Sequence, residues 1–233
     1  MNKNSALLSL SIATLGVVAS ATTASAVSFM TLPGFGDADF NDLLDSGTME
    51  PWAVESRIAN NGPSGDQELQ IIDEPSNGFN VIEQGQRVWP NGVGVDFMLE
   101  FDGSLLTYTV GGQELSTTAF GGQHPIDELF FRARSTETSS LSLTNLMVDG
   151  FAIPDLVAEA PDTVTYLKVS DFGGTFKVSG TSTFSWTGDR PRGSQLAYQI
   201  KATVDKDIPE PATLSLLSLG TLGVLGTQLR RKS

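Results

Sequence analysis

Val93-Gly94-Val95-Asp96-Phe97-Met98-Leu99-Glu100-Phe101-Asp102-Gly103 runs directly into Ser104-Leu105-Leu106-Thr107-Tyr108-Thr109-Val110. Val93, Val95, Phe97, Leu99 and Phe101 alternate with Gly94, Asp96, Met98, Glu100 and Asp102, the period-two pattern of a half-buried strand. Asp102-Gly103 supplies a favoured two-residue hairpin turn. Counting outward from that turn sets Phe101 opposite Ser104 and pairs Leu99 with Leu106, Phe97 with Tyr108 and Val95 with Val110. Those inner pairs are apolar on both strands, and a one-residue slip would turn one strand's apolar set to the wrong face. Gly111-Gly112 then starts a second turn into Gln113 to Phe120, extending the hairpin to a meander.

The same periodicity spreads outward from this hairpin. Phe176, Val178, Phe184 and Trp186 share one phase with Gly180 and Ser182 between them, which predicts a long strand that bends or bulges at Gly180. Leu196, Tyr198, Ile200, Ala202 and Val204 form a last alternating run. In Leu141 to Val148 the apolar phase changes between Leu143 and Leu146, the mark of a bulge or of a strand crossing between sheets. One helix is expected at Asp37 to Ser46, with Phe40, Leu43 and Leu44 on one side, acidic residues early and Gly47 as the stop. The expected fold is therefore all-β: an antiparallel two-sheet sandwich, jelly-roll-like, with one short helix, a barrel being the alternative closure.

Both ends of the chain read as targeting segments. Lys3, an apolar core from Leu7 to Val18 and the small-x-small triplet Ala24-Ser25-Ala26 form an N-terminal signal peptide over 1–26, cleaved by signal peptidase between Ala26 and Val27. At the other end Pro209-Glu210-Pro211 precedes an apolar run, Ala212 to Leu229, and the basic end 230–233, Arg230-Arg231-Lys232-Ser233. At about 1.5 Å per residue that run reaches roughly 27 Å as a helix, a minimal transmembrane span with its basic end held on the cytoplasmic side. The organisation expected is leader 1–26, ectodomain 27–204, linker 205–208 and sorting segment 209–233 with its span at 212–229.

This tail of Pro-Glu-Pro, apolar helix and basic end resembles the PEP-CTERM sorting signal of Gram-negative bacteria and cyanobacteria. The resemblance implies recognition by a membrane-embedded exosortase at Pro209, Glu210 and Pro211: a protein exported, anchored transiently in the inner membrane, then released or transferred to the cell surface. The stretches Phe40 to Gly47, Leu143 to Leu146, Thr181 to Gly188 and Leu196 to Lys201 resemble the bacterial choice-of-anchor surface domains, most like type W, and that resemblance implies no defined activity. Bacteria that carry PEP-CTERM proteins are associated with exopolysaccharide, so a structural or glycan-contacting role in an extracellular matrix is what the resemblance implies.

Composition narrows the chemistry. Without Lys3, Arg230, Arg231, Lys232 and Glu210, the segment 27–208 keeps ten basic against 26 acidic residues, a net charge of about −16. Such a surface repels nucleic acid and attracts divalent cations or basic partners. No cysteine is present, which removes thiol catalysis and thiolate metal sites. Asp37-Ala38-Asp39-Phe40-Asn41 imitates the start of a calcium loop, yet Asp42 stands where the turn needs glycine and Thr48 where a bidentate Glu should close it, so these acids suit a helix N-terminus better. His124, the single histidine, sits in Gly121-Gly122-Gln123-His124-Pro125, a turn with no nucleophile elbow. Neither a catalytic group, a metal site nor a cofactor is expected. The weak glycan-contact candidates are Arg132 and Arg134, sharing one strand face, and Arg190 and Arg192, just beyond Trp186; they either receive an acidic polysaccharide or answer neighbouring Asp and Glu. Trp52 and Trp89 either cap a core or bind sugar. The alternative class is a secreted, carboxylate-dependent carbohydrate-active enzyme, which would show two facing carboxyls about 5 to 10 Å apart in a deep cleft.

Overall fold

The structure, a computed structural model, describes residues 27–59, 68–73, 75, 79–122 and 126–204. The expected leader 1–26, His124, the linker 205–208, Pro209-Glu210-Pro211, the span 212–229 and the basic end lie outside the described residues. Among the described residues no helix is long and apolar enough to cross a membrane.

In chain order the elements are β1 (Ser28–Thr31), α1 (Asp37–Asp45), β2 (Met49–Arg57), β3 (Leu69–Asp73), β4 (Asn80–Gly85), β5 (Gly94–Phe101), β6 (Leu106–Val110), β7 (Gln113–Thr117), β8 (Glu128–Arg134), β9 (Ser139–Val148), β10 (Phe151–Ala152), β11 (Leu156–Ala158), β12 (Val164–Ser170), β13 (Phe176–Trp186) and β14 (Ala197–Val204). The first sheet runs β1-β12-β8-β14-β2-β3-β4 and the second β10-β9-β13-β5-β6-β7, with β11 also on β9. Every described pairing is antiparallel. The described residues thus form a two-sheet antiparallel β-structure with one helix, as the alternation predicts.

The core between the sheets is aromatic. Trp52 on the first sheet packs near Phe101, Phe120 and Phe176 at ring separations of 6.1 to 6.2 Å. Phe97 and Phe184 of the second sheet lie 5.3 and 6.0 Å from Tyr198 of the first. The buried hydroxyls need partners, because an unpaired one costs about 1 to 3 kcal/mol. They satisfy one another across the layers: Tyr108 donates to Tyr198 at 2.8 Å and lies 2.7 Å from the Ser56 hydroxyl. Burial pushes both phenols upward from their ordinary pKa, so both stay protonated donors.

The 93–110 hairpin forms, with the expected residues facing inward, but its register is corrected. Phe101 pairs with Leu106, Leu99 with Tyr108 and Phe97 with Val110, two residues away from the expected Leu99–Leu106, Phe97–Tyr108 and Val95–Val110. Asp102-Gly103 is not the whole loop. The Asp102 carboxylate accepts the backbone N–H groups of Ser104 and Leu105 at 2.8 and 2.7 Å, and Asp102 N–H donates to the Leu105 carbonyl, so the loop takes in Ser104 and Leu105. A shift of two preserves the facing of every side chain, which is why the apolar alternation is blind to it. The second turn is the two-residue Gly111-Gly112, with both φ positive and Val110 paired to Gln113.

The phase change in β9 is a bulge, not a crossing. Thr144 pairs with Thr181 and Met147 with Ser179, so two residues of β9 face the single Gly180 of β13, and Asn145 takes φ 53. Gly180 is required there: a Cβ would lie 2.7 Å from Leu146 and 2.9 Å from Phe97.

Candidate functional site

Alternation along the strands gives the first sheet an outer face that is not left to solvent. In β8, Leu129, Phe131 and Ala133 enter the main core, which turns Phe130, Arg132 and Arg134 outward. Phe130 joins Phe40 and Tyr166 in a second apolar cluster, with Leu32, Phe35, Leu43 and Leu44 around it. Helix α1 is seated on this cluster. Nine residues are too few for a helix to persist alone, whereas burying Phe40 supplies about 2 to 3 kcal/mol. Lys201 adds a cation over the Phe40 ring at 4.6 Å.

Polar groups ring this helix. Asp37, its first residue, receives both Arg132 donors, Nε and an Nη, at 2.6 Å, and the Tyr166 hydroxyl at 2.8 Å. Burial alone would raise the Asp37 carboxyl, but the Arg132 bonds and charge outweigh it and hold the carboxyl below its ordinary value. Burial likewise works against the Arg132 charge and is overcome by Asp37. Tyr166 is pushed well up, first by burial, with the Asp37 carboxylate adding to it. Asp39 accepts the Gly36 N–H at 2.8 Å and caps the helix start, so the calcium-like acids serve a helix as expected. Among the described residues no group of three or more His, Cys, Asp or Glu gathers to hold a metal.

Beyond α1 the outer face opens into a shallow hollow of about 380 Å³, lined by Asp37, Phe40, Asn41, Glu55, Arg57, Phe79, Arg132, Arg134, Tyr166, Ser194, Gln199 and Lys201. Its floor is laid in rows by strand register. Glu55, Gln199 and Arg132 stand side by side on β2, β14 and β8, and Arg57, Ala197 and Arg134 form the next row. Gln199 donates to Glu55 at 3.1 Å, and Arg57 lies 3.6 Å from the same carboxylate. Lys201 pairs with buried Glu50 at 2.7 Å, where burial raises the Glu50 carboxyl and Lys201 opposes that rise. Phe79, 44% exposed, reaches the hollow from the loop before β4 and holds φ 53, a backbone state uncommon for a bulky residue.

Of the candidates expected from sequence, Arg132 and Arg134 enter this hollow together, Arg132 tied to Asp37 and Arg134 half-buried. Arg190 is elsewhere engaged, 3.1 Å from the fully buried Glu68, whose carboxyl is raised by burial despite the Ala59 N–H and Arg190. Arg192 is exposed in the same loop. Trp186 lines a separate hollow with Glu137, Thr138 and Thr187 beside β9 and β13, apart from Arg132 and Arg134. Trp52 is core. Trp89 is 3% exposed, packs 4.2 Å from Phe184 and donates to the Arg57 carbonyl, so it caps the core. Phe79, Gln199, Glu55 and Ser194 had no signal in the sequence, since strand pairing across up to 144 residues brings them together.

No curated protein matches the chain. Residues 207–232 match the family described as the PEP-CTERM protein-sorting motif, the signal of proteins that are anchored in a membrane, processed by an exosortase and exported.

Proposed function

We propose that this is an exosortase-processed surface or extracellular-matrix protein whose β-sandwich, of choice-of-anchor type, contacts exopolysaccharide and carries out no catalysis. Signal peptidase acts at Ala26–Val27 and exosortase at Pro209-Glu210-Pro211 in this reading. The observation that carries it is the outer-face hollow: an exposed aromatic ring, Phe79, beside amide, hydroxyl and guanidinium groups on a rigid sheet. Sugars offer one apolar ring face and a rim of hydroxyls, which such a surface complements. The carboxylates argue against the enzyme alternative. A glycosidase acid needs a raised pKa at an open site, whereas Asp37 is lowered and doubly bonded, and Glu50, which is raised, is buried against Lys201.

The test is binding and turnover on immobilised polysaccharides by the full chain purified in detergent. Retention on at least one polymer, weakened about tenfold or more in Phe79→Ala, with no released sugar, is the expected result. Release of reducing ends at a rate abolished by Asp37→Asn or Glu55→Gln would replace this reading with the enzymatic one.

A further inference from the structure

The strands that end the two sheets are not alike. In the first sheet β4 is bulged against β3 and carries Glu83, and in the second β7 carries Glu114 and β10 is two residues long. Bulges, charges and short length keep an open strand from pairing with another chain. β1 has neither charge nor bulge. Among the described residues it pairs only with β12, and all four of its residues are exposed, Phe29 by 50% and Met30 by 56%. The Leu32 N–H donates to the Tyr166 carbonyl at the end of that ladder. Successive residues of an antiparallel strand point their backbone groups to opposite sides, so Ser28 and Met30 also face β12, while the N–H and C=O groups of Val27, Phe29 and Thr31 face outward. No charged residue stands between Val27 and Gly36, although the segment 27–208 carries a net charge of about −16.

From this edge we propose that β1 pairs with β1 of a second copy of this chain, antiparallel about a two-fold axis, so that the two first sheets become one. With Phe29 set opposite Phe29 of the second copy, the two residues exchange both backbone hydrogen bonds, and Thr31 does the same with Val27 on each side. Phe29 lies on the core-facing side with its partner Val169, so the two rings meet where the two cores adjoin, while Met30 comes opposite Ser28 on the outer side. Charge selects the occupant. Two acidic molecules repel least where they meet through an uncharged strand, and a basic partner finds no carboxylate on this strand to hold it. Five residues a side bury less than the roughly 1,200 Å² of a stable dimer, so the pairing is weak and shows at high protein concentration.

Sedimentation equilibrium of the full chain in detergent, from about 5 to 500 μM, tests it. Wild type is expected to pass reversibly from monomer to dimer over that range. Phe29→Lys, which sets two like charges face to face, should weaken dimerisation about tenfold or more, whereas Phe151→Lys, at a ring of similar exposure on β10, should not. The chain has no cysteine, so introduced ones report the register. Under mild oxidation Phe29→Cys should link two copies, because a hydrogen-bonded pair stands about 5.5 Å apart between Cα atoms, within disulfide reach. Met30→Cys, roughly 8 Å from its counterpart, should link far less. Melting and near-UV circular dichroism confirm that each variant folds. A dimer that survives Phe29→Lys would be held elsewhere in the chain and would overturn the proposal, as would preferential linking through Met30→Cys. A wild type that stays monomeric throughout would also overturn it, leaving the edge to a strand from another protein.

Discussion

Asp37 joins two requirements in one carboxylate: it sits in the first turn of α1 and it closes the charge of Arg132. The helix role is legible in the sequence, where Asp37 and Asp39 precede Phe40. The clamp is not, because Arg132 lies 95 positions away and only the seating of α1 on β8 brings them together. Asp37→Asn is expected to lower stability by about 1 to 3 kcal/mol at pH 6, between the values for exposed pairs and buried ones, since the Asp37 side chain is 47% exposed and that of Arg132 only 9%. The pH dependence follows from the lowered carboxyl. Its stabilisation is complete above the ordinary value of 3.8 and is lost as pH falls through the lower folded value. Wild type and Asp37→Asn should therefore differ more at pH 6 than at pH 2 in urea melts; an unchanged difference would show that the carboxylate's charge is irrelevant. Gly103 takes φ 90 with only Thr175 near its missing Cβ, at 3.7 Å. Backbone strain alone then sets the cost of Gly103→Val, about 1 to 3 kcal/mol, and Gly103→Asn, which tolerates that region better, should lose clearly less.

At the level of elements, period-two alternation found β5, β6 and β13 because each has one face in the core and one less covered, and β14 because its covered outer face carries the polar Gln199, Lys201 and Thr203. It was weaker where both faces are covered. In β8, Leu129 to Ala133 is buried without a break, since the outer face lies under α1 and its neighbours, and the run carries no period to read. The hairpin register escaped for a different reason: the Asx bonds of Asp102 stabilise a longer loop than Asp-Gly alone implies, and the two alternatives present identical faces. The bulge was legible because it breaks the phase, at Leu143 and Leu146. Its glycine is demanding. Gly180→Val should destabilise by about 1 to 3 kcal/mol through collision with Leu146 and Phe97, and a crystal structure should show β9 and β13 spread at that point. A variant as stable as the parent would mean that the bulge relaxes freely.

Across the whole molecule the sheets are joined by an apolar core and by one chain of hydroxyls, Ser56, Tyr108 and Tyr198. Tyr108→Phe leaves two buried hydroxyls short of a partner and should cost about 1 to 3 kcal/mol, whereas Tyr108→Phe with Tyr198→Phe should cost less than the sum of the single changes. Additive losses in denaturant melts would dissolve the network into independent contacts. The sheet's register also gives the molecule a direction. Ser28, Ser170, Glu128 and Thr203 stand in one row across β1, β12, β8 and β14, so the first and last described strands begin and end on the same side. The Arg57–Ala197–Arg134 row lies six residues farther along, roughly 20 Å away at the opposite side. The end of the last described strand and the far rim of the hollow thus lie at opposite ends of the same strands, like the hilt and the tip of one blade.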